Sequence, residues 1–294
     1  MSSEALKTVA LPLALMIVMF GMGLSLTVAD FKRVILAPKA KLVGLANQLL
    51  LLPSIAFGLV ALFGLSAELA VGLMLIAACP GGPTSNLITH LARGDTALSV
   101  TLTAVASVIT VFTIPLIVGA SMGHFLGDAE AAIQLPFGKT VFQLMLVSII
   151  PISVGMAVRV ARQNLAVRMG KPVNVLSILF LALIILAAVM QEEDLAAQFA
   201  EAGWAVLSLN LLTMALGYGM AALWRLPLPQ RISISIESGI QNGTLALAIA
   251  LGILNSARIA VPAVVYSLLM FGSGAFMILR YGRREMEAAV PAPN

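Results

Sequence analysis

Charge is what this sequence has least of. Of its 294 residues only 10% are Asp, Glu, Lys or Arg, whereas 60% are apolar and the mean hydropathy is +1.04. Soluble domains carry about 25% charged residues, so a water-soluble enzyme is excluded. A single cysteine, Cys79, excludes a disulfide within the chain. Two histidines, His90 and His124, are too few for a transition-metal centre. A formal charge of +4 and a pI near 9.5 do not indicate nucleic acid as a partner, because the basic residues sit in short breaks between apolar runs. The longest such break, around 121–134, leaves no room for a soluble domain.

The apolar runs themselves carry the fold. A spanning helix needs about 20 apolar residues. Nine runs qualify: 6–28, 41–62, 69–91, 97–119, 135–158, 173–190, 203–224, 232–254 and 260–279. If they alternate in direction, 14 of the 17 basic residues fall on one side, and only Lys7, Lys139 and Arg258 on the other. Asp128, Glu130, Glu192, Glu193, Asp194 and Glu201 gather on that second side. The basic side is cytoplasmic, so the N-terminus is expected outside and the C-terminus inside. An even count would spoil the partition. The first run is longer than a signal-peptide core and the basic cluster follows it, so it reads as a retained span. The alanine- and proline-rich tail from Glu285 is given no role.

Two runs break the rules of a membrane helix near their middles. The third contains Cys79-Pro80-Gly81-Gly82-Pro83-Thr84-Ser85-Asn86. Its prolines and glycines remove backbone donors and the steric preference for helix, so it should unwind at 80–83 and restart from Thr84 to Leu91. The eighth contains Glu237-Ser238-Gly239-Ile240-Gln241-Asn242-Gly243. Irregular backbone at membrane depth survives only against protein or water. A proline pair often merely kinks a helix and glycines often merely allow packing; Gly119 and Gly123 are read that way. Glu237 is different. An acidic side chain at mid-membrane costs about 2.5–3.5 kcal/mol, and no Lys or Arg lies in the middle of a run to pair with it. A bound cation or a proton must neutralise it.

Runs two to four and seven to nine traverse the membrane in opposite senses, each set with a broken member in the middle. Such inverted halves point to a transporter site. Gln48 and Asn210 occupy comparable places ahead of the two breaks. The polar inventory is rich in oxygen: Glu237, Gln241, Asn242, Ser238, Ser85, Asn86 and Gln48, with Ser99, Thr103 and Ser107 spaced four apart on one helix face. A hydroxyl stripe alone often bonds its own helix; beside a broken helix it suits a hard cation. Restarted half-helices present N–H groups and a positive dipole end, which favours an anionic substrate. Cys79 reads as a small core residue rather than a thiolate ligand.

Pro80-Gly81-Gly82 with Ser85-Asn86, Leu91-Ala92-Arg93-Gly94-Asp95 with Ala97-Leu98-Ser99, and Glu237-Ser238-Gly239-Ile240-Gln241-Asn242 resemble the bile acid:sodium symporter family over essentially the whole chain. The resemblance implies nine transmembrane helices with two crossed discontinuous members in a bacterial inner membrane. A panel domain would comprise 1–30 and 134–192, a core domain 38–123 and 203–280, and a cytoplasmic tail 281–294. It implies two sodium ions. Ser85, Asn86, Ser99, Thr103 and Glu237 would hold the first; Gln48, Glu237, Gln241 and the carbonyls of Ser238 and Ile240 the second. Pro83, Thr84, Asn242, Gly243 and Phe271 would face the substrate. Pro83 stands where bile-acid-type members tend to carry Thr, and Met270-Phe271 where their last span is often polar. The expected substrate is therefore a small organic anion, either a bile acid or a smaller carboxylate such as a pantoate-like or keto acid. The lipid bilayer is the other expected partner, with no obligate protein partner.

The rival readings are a proton-coupled carrier using Glu237, arsenite efflux through Cys79, and a receptor that binds without transporting. An enzyme is not expected: one membrane carboxylate without a partner acid, metal triad or Ser/His pair makes no active site.

Overall fold

The computed structural model describes residues 11–36, 38–127, 136–189 and 195–282, and these are helical almost throughout. In chain order the helices are α1 (Leu11–Ser25), α2 (Val28–Leu36), α3 (Pro38–Phe63), α4 (Ala67–Ala78), α5 (Pro83–Leu91), α6 (Thr96–Phe125), α7 (Phe137–Ala161), α8 (Gln163–Val189), α9 (Leu195–Leu223), α10 (Leu228–Gly239), α11 (Gly243–Ile253) and α12 (Ala257–Gly282). Lys7, Asp128, Glu130, Glu192, Glu193, Asp194 and the tail from Arg283 lie outside the described residues.

Among the described residues five helices are long and apolar enough to cross a membrane: α3, α6, α7, α9 and α12. The other expected spans rest on α1, on α8 and on the pairs α4–α5 and α10–α11. Several helices outrun the apolar stretches that announced them. The sixth expected run opens at residue 173, yet α8 starts at Gln163; the seventh opens at 203, yet α9 starts at Leu195. Hydropathy reads the part of a helix suited to lipid, while polar turns at its ends keep the same backbone hydrogen bonding. Likewise α6 continues to Phe125, into the expected connector.

Two helices carry a π-helical turn ahead of a proline, at Asn47–Leu51 before Pro53 and at Met145–Ile149 before Pro151. Proline removes an N–H and crowds the carbonyl four residues back, and a widened turn relieves both. In α3 that turn has neighbouring Asn47 and Gln48 both buried.

Close approach explains particular glycines. A Cβ on Gly23 would lie 2.2 Å from the Ile152 carbonyl oxygen and one on Gly155 2.4 Å from that of Phe20, so α1 and α7 meet backbone to backbone. Gly119 and Gly123 behave otherwise: a Cβ at either meets nothing within 4 Å, so the packing role expected of them is not found.

The two interrupted helices are pinned at both outer ends. Asp95 caps α6 by accepting from Leu98 N at 3.0 Å, and its backbone N–H donates to the Pro229 carbonyl at the start of α10 at 3.0 Å. At the opposite end Ser256 caps α12 by accepting from Ile259 N at 3.2 Å, and its hydroxyl donates to Glu68 at the start of α4 at 3.0 Å. Each cap thus ties the helix after one break to the helix before the other.

Candidate functional site

Both interruptions occur where the sequence breaks its own helical pattern. α4 ends at Ala78, the chain is extended through Cys79 and Gly82, and α5 begins at Pro83. The restart comes one residue earlier than expected because proline at the first turn loses no hydrogen bond and has its φ already set. In the second interruption Glu237 and Ser238 belong to the last turn of α10, and only 240–242 are irregular. Asn242 caps α11 by accepting from Leu245 N at 3.0 Å.

The two irregular stretches pair with each other. Asn242 N donates to Pro80 O at 2.9 Å and Gly82 N to Ile240 O at 3.4 Å, with Gly81 opposite Gln241 as an antiparallel bridge. This places Glu237 against the first break. A Cβ on Gly81 would lie 2.1 Å from Glu237 Oε1, so only glycine leaves the carboxylate its place.

Glu237 is 2% exposed. Ser85 and Ser99 hydroxyls lie 2.8 and 2.9 Å from its Oε2, and the Thr103 hydroxyl donates to Oε1. Asn86 Oδ1 joins them, 2.9 Å from Ser99 Oγ and 3.4 Å from Thr103 Oγ1. Each hydroxyl has one proton to give, and Ser85 Oγ is also 2.8 Å from the Gly82 carbonyl. Oxygen lone pairs therefore outnumber protons, and among the described residues no basic side chain is a partner of Glu237. Such a set matches a hard cation, which takes oxygen ligands. Thr89, whose hydroxyl is 3.3 Å from Ser99 Oγ, belongs to this cluster and was missed. Its spacing of four from Ser85 along α5 was the available signal.

Gln48, Gln241 and Ser238 form a second group next to Glu237, whose backbone carbonyl accepts from Gln241 Nε2 at 3.4 Å, while the Ile240 carbonyl accepts from Gly82 N. Gln48 Nε2 donates to Cys79 O at 2.9 Å and to Gln241 Oε1 at 2.7 Å; Gln241 Nε2 donates to Ser238 O at 2.9 Å. Gln48 Oε1 is buried without a partner, an acceptor left over for a ligand. Asn47 also reaches this region, donating to Ser238 Oγ, and sequence reading missed it because nothing in the spacing distinguishes it from a packed amide.

The hydroxyl stripe of α6 divides in two. Ser99 and Thr103 meet Glu237, but Ser107 donates to the Thr103 carbonyl four residues back at 2.7 Å and lines a small cavity with Met19, Pro80, Thr110 and Ser148. Pro83 and Thr84 are half-buried at the start of α5, and Asn242 and Gly243 are buried at the start of α11. Asn242 Nδ2 has no acceptor. Phe271 is not drawn into this group: the inward face of α12 is Met270, Gly274 and Met277, and Phe271 is 44% exposed. Cys79 is buried at the first break.

Residues 12–199 match the family model described as the sodium bile acid symporter family. The chain belongs to that family. Among relatives, it is 28% identical to an uncharacterized sodium-dependent transporter, YocS, of Bacillus subtilis over 272 residues, 91% of this chain and 81% of that protein. It is 28% identical over 284 residues to a probable chloroplastic sodium/metabolite cotransporter, BASS2, of Oryza sativa, covering 96% of this chain and 66% of that one. To human sodium/bile acid cotransporter 4 it is 31% identical over 239 residues, 80% of this chain but 54% of the relative. The chain thus spans most of the bacterial relative and between half and two thirds of the other two. These three relatives are named as transporters or cotransporters, and a symporter family member with apolar membrane-length helices is an integral membrane protein.

Within the family's terms, Ser99 and Thr103 are the most testable members of the hydroxyl cluster. Replacing either by Ala takes one hydroxyl oxygen out of the set open to a hard cation. The sodium concentration for half-maximal transport is expected to rise about tenfold or more in each variant, read from initial uptake rates against sodium. An unmoved curve in both would make the stripe a packing feature.

Proposed function

We propose that the protein is a secondary active transporter that couples inward movement of sodium to uptake of a small organic anion by alternating access. One observation carries the reading: Glu237 is buried where two chain breaks cross, with three hydroxyls and, among the described residues, no basic side chain as partners. A carboxylate so placed needs a positive charge delivered from solution. In this reading Ser85, Asn86, Ser99, Thr103 and Glu237 take one sodium. Gln48, Gln241, Glu237 and the carbonyls of Ser238 and Ile240 take the second.

Binding both ions would neutralise Glu237 and fix the two crossing strands. That sets the start of α5, with Pro83 and Thr84, against the start of α11, with Asn242 and Gly243. Positive helix ends and the unmatched Asn242 amide protons then favour a carboxylate. A short-chain or keto acid suits this mouth better than a steroid acid, since Pro83 offers no hydroxyl or N–H.

The inverted repeat is supported by equivalent brackets at the two breaks. Gln48 of α3 donates to the Cys79 carbonyl after α4, and Asn210 of α9 donates to the Gly239 carbonyl ending α10 at 2.7 Å. We take nine spans, an outer N-terminus and a cytoplasmic C-terminus. In this division α1, α7 and α8 form a panel, against a core of α3–α6 and α9–α12. The backbone contact of α1 with α7 supports that grouping.

Proteoliposomes decide the matter. Uptake of labelled small carboxylates at fixed pH, with an inward sodium gradient, is expected to fall to the leak rate when choline replaces sodium. Uptake that follows a proton gradient without sodium would overturn the coupling, and binding without counterflow would make the protein a receptor.

A further inference from the structure

Three successive carbonyls at the end of α10 go to different places. Ser238 O accepts from Gln241 Nε2 at 2.9 Å and Ile240 O from Gly82 N at 3.4 Å, both at the crossing. Gly239 O, between them, turns away and accepts from two donors, Asn210 Nδ2 at 2.7 Å and the Tyr266 hydroxyl at 3.0 Å. A group 2.7 Å from a carbonyl oxygen must be the amide nitrogen, so the orientation of Asn210 is fixed by its neighbours. Its second proton points to Tyr266 Oη at 3.4 Å.

This bracket is built at a cost. Asn210 is 1% exposed and Tyr266 fully buried, and Asn210 Oδ1 is left without a partner. Space alone would be filled by leucine, which occupies 209, 211 and 212. A helix-end carbonyl needs one donor; here two converge on a residue that, as glycine, has the least resistance of its own to peptide rotation.

We infer that Asn210 and Tyr266 are positioning residues for sodium: by locking the Gly239 carbonyl outward they hold the flanking Ser238 carbonyl toward Gln241 and the Ile240 carbonyl at the crossing with Gly82. The inference rests on the sodium reading above, since neither side chain touches the ion. It predicts that the two residues act on ion affinity more than on the fold, which a mere helix cap would not do.

The test is sodium-dependent thermal stabilisation of the purified full chain in detergent, with choline chloride keeping ionic strength constant. Tyr266→Phe removes the donation to the Gly239 carbonyl and the longer one accepted from Asn210, both neutral, and should raise the half-maximal sodium concentration about fivefold. The melting temperature without sodium should stay close to the parent's. Asn210→Leu keeps the branching and the number of side-chain heavy atoms and removes both donations, and should raise it more than tenfold. Glu237→Ala serves as the variant with no sodium response. A lowered sodium-free melting temperature with an unmoved half-maximal concentration in both variants overturns the inference alone. If Asn210→Leu does not fold, Tyr266→Phe decides by the same criterion. A parent protein without any sodium response overturns this inference together with the sodium reading.

Discussion

Glu237→Ala is expected to abolish sodium-stimulated uptake while leaving a folded protein. Alanine relieves the membrane of a carboxylate, so the variant loses no favourable ion pair. Ser85 can turn its proton wholly to the Gly82 carbonyl at 2.8 Å, and Ser99 its own to Asn86 Oδ1 at 2.9 Å. What disappears is the one negative charge at the crossing. For the parent, sodium at 100 times its dissociation constant stabilises the folded form by about 2.7 kcal/mol; the variant should show none of that. Glu237→Gln should behave alike for uptake, since shape is kept and charge is not. Unaltered sodium dependence in either folded variant would remove Glu237 from the site.

Gly81→Ala should be nearly as damaging, through a single methyl group. A Cβ there would stand 2.1 Å from Glu237 Oε1 and 2.7 Å from its Cδ. The carboxylate must retreat by about an ångström, taking it off Thr103 and disturbing its bonds to Ser85 and Ser99. Losing one or two charged hydrogen bonds costs about 1.5–3 kcal/mol each, and a sodium half-saturation at least tenfold higher is expected from uptake titrations. Shortening the acid in the double variant Gly81→Ala, Glu237→Asp should recover part of the loss, giving a non-additive cycle. A Gly81→Ala protein with the parent's sodium curve would show that the carboxylate does not need its present position.

The interruptions and the acid were legible because they violate strong local rules. Pro80-Gly81-Gly82-Pro83 cannot continue a helix, and a lone Glu237 among isoleucines and serines has no business in oil. The cluster around it was legible from spacing: Ser99 and Thr103 one turn apart, Ser85 and Asn86 two and three residues past Pro83. What stayed hidden depends on contacts between distant segments. Asn47 and Gln48 are adjacent, so a regular helix would point them about 100° apart, and only the π-helical turn accompanies the burial of both. Tyr266 lies in an apolar stretch where a tyrosine reads as packing until Gly239 is seen beneath it. Gly119 and Gly123 erred the other way, since a four-residue spacing states that helices could approach there and not that one does. Helix ends such as Gln163 and Leu195 escaped because polar turns beyond an apolar run carry no hydropathy signal.

The pairing of 80–82 with 240–242 is a two-rung ladder joining the stretches where the chain is least able to satisfy itself. Each rung supplies an amide that no helix provides for, so separating the strands would strand donors and acceptors of both at once in a poorly hydrated place. Neither break can loosen alone. An ion that tightens one side must be felt by the other, and the amide protons of Gly82 and Asn242 should exchange with solvent together, both slowed when sodium is added. If two ions bind as proposed, cooperativity between them needs no relay through the bundle, because one short strip of backbone would belong to both positions.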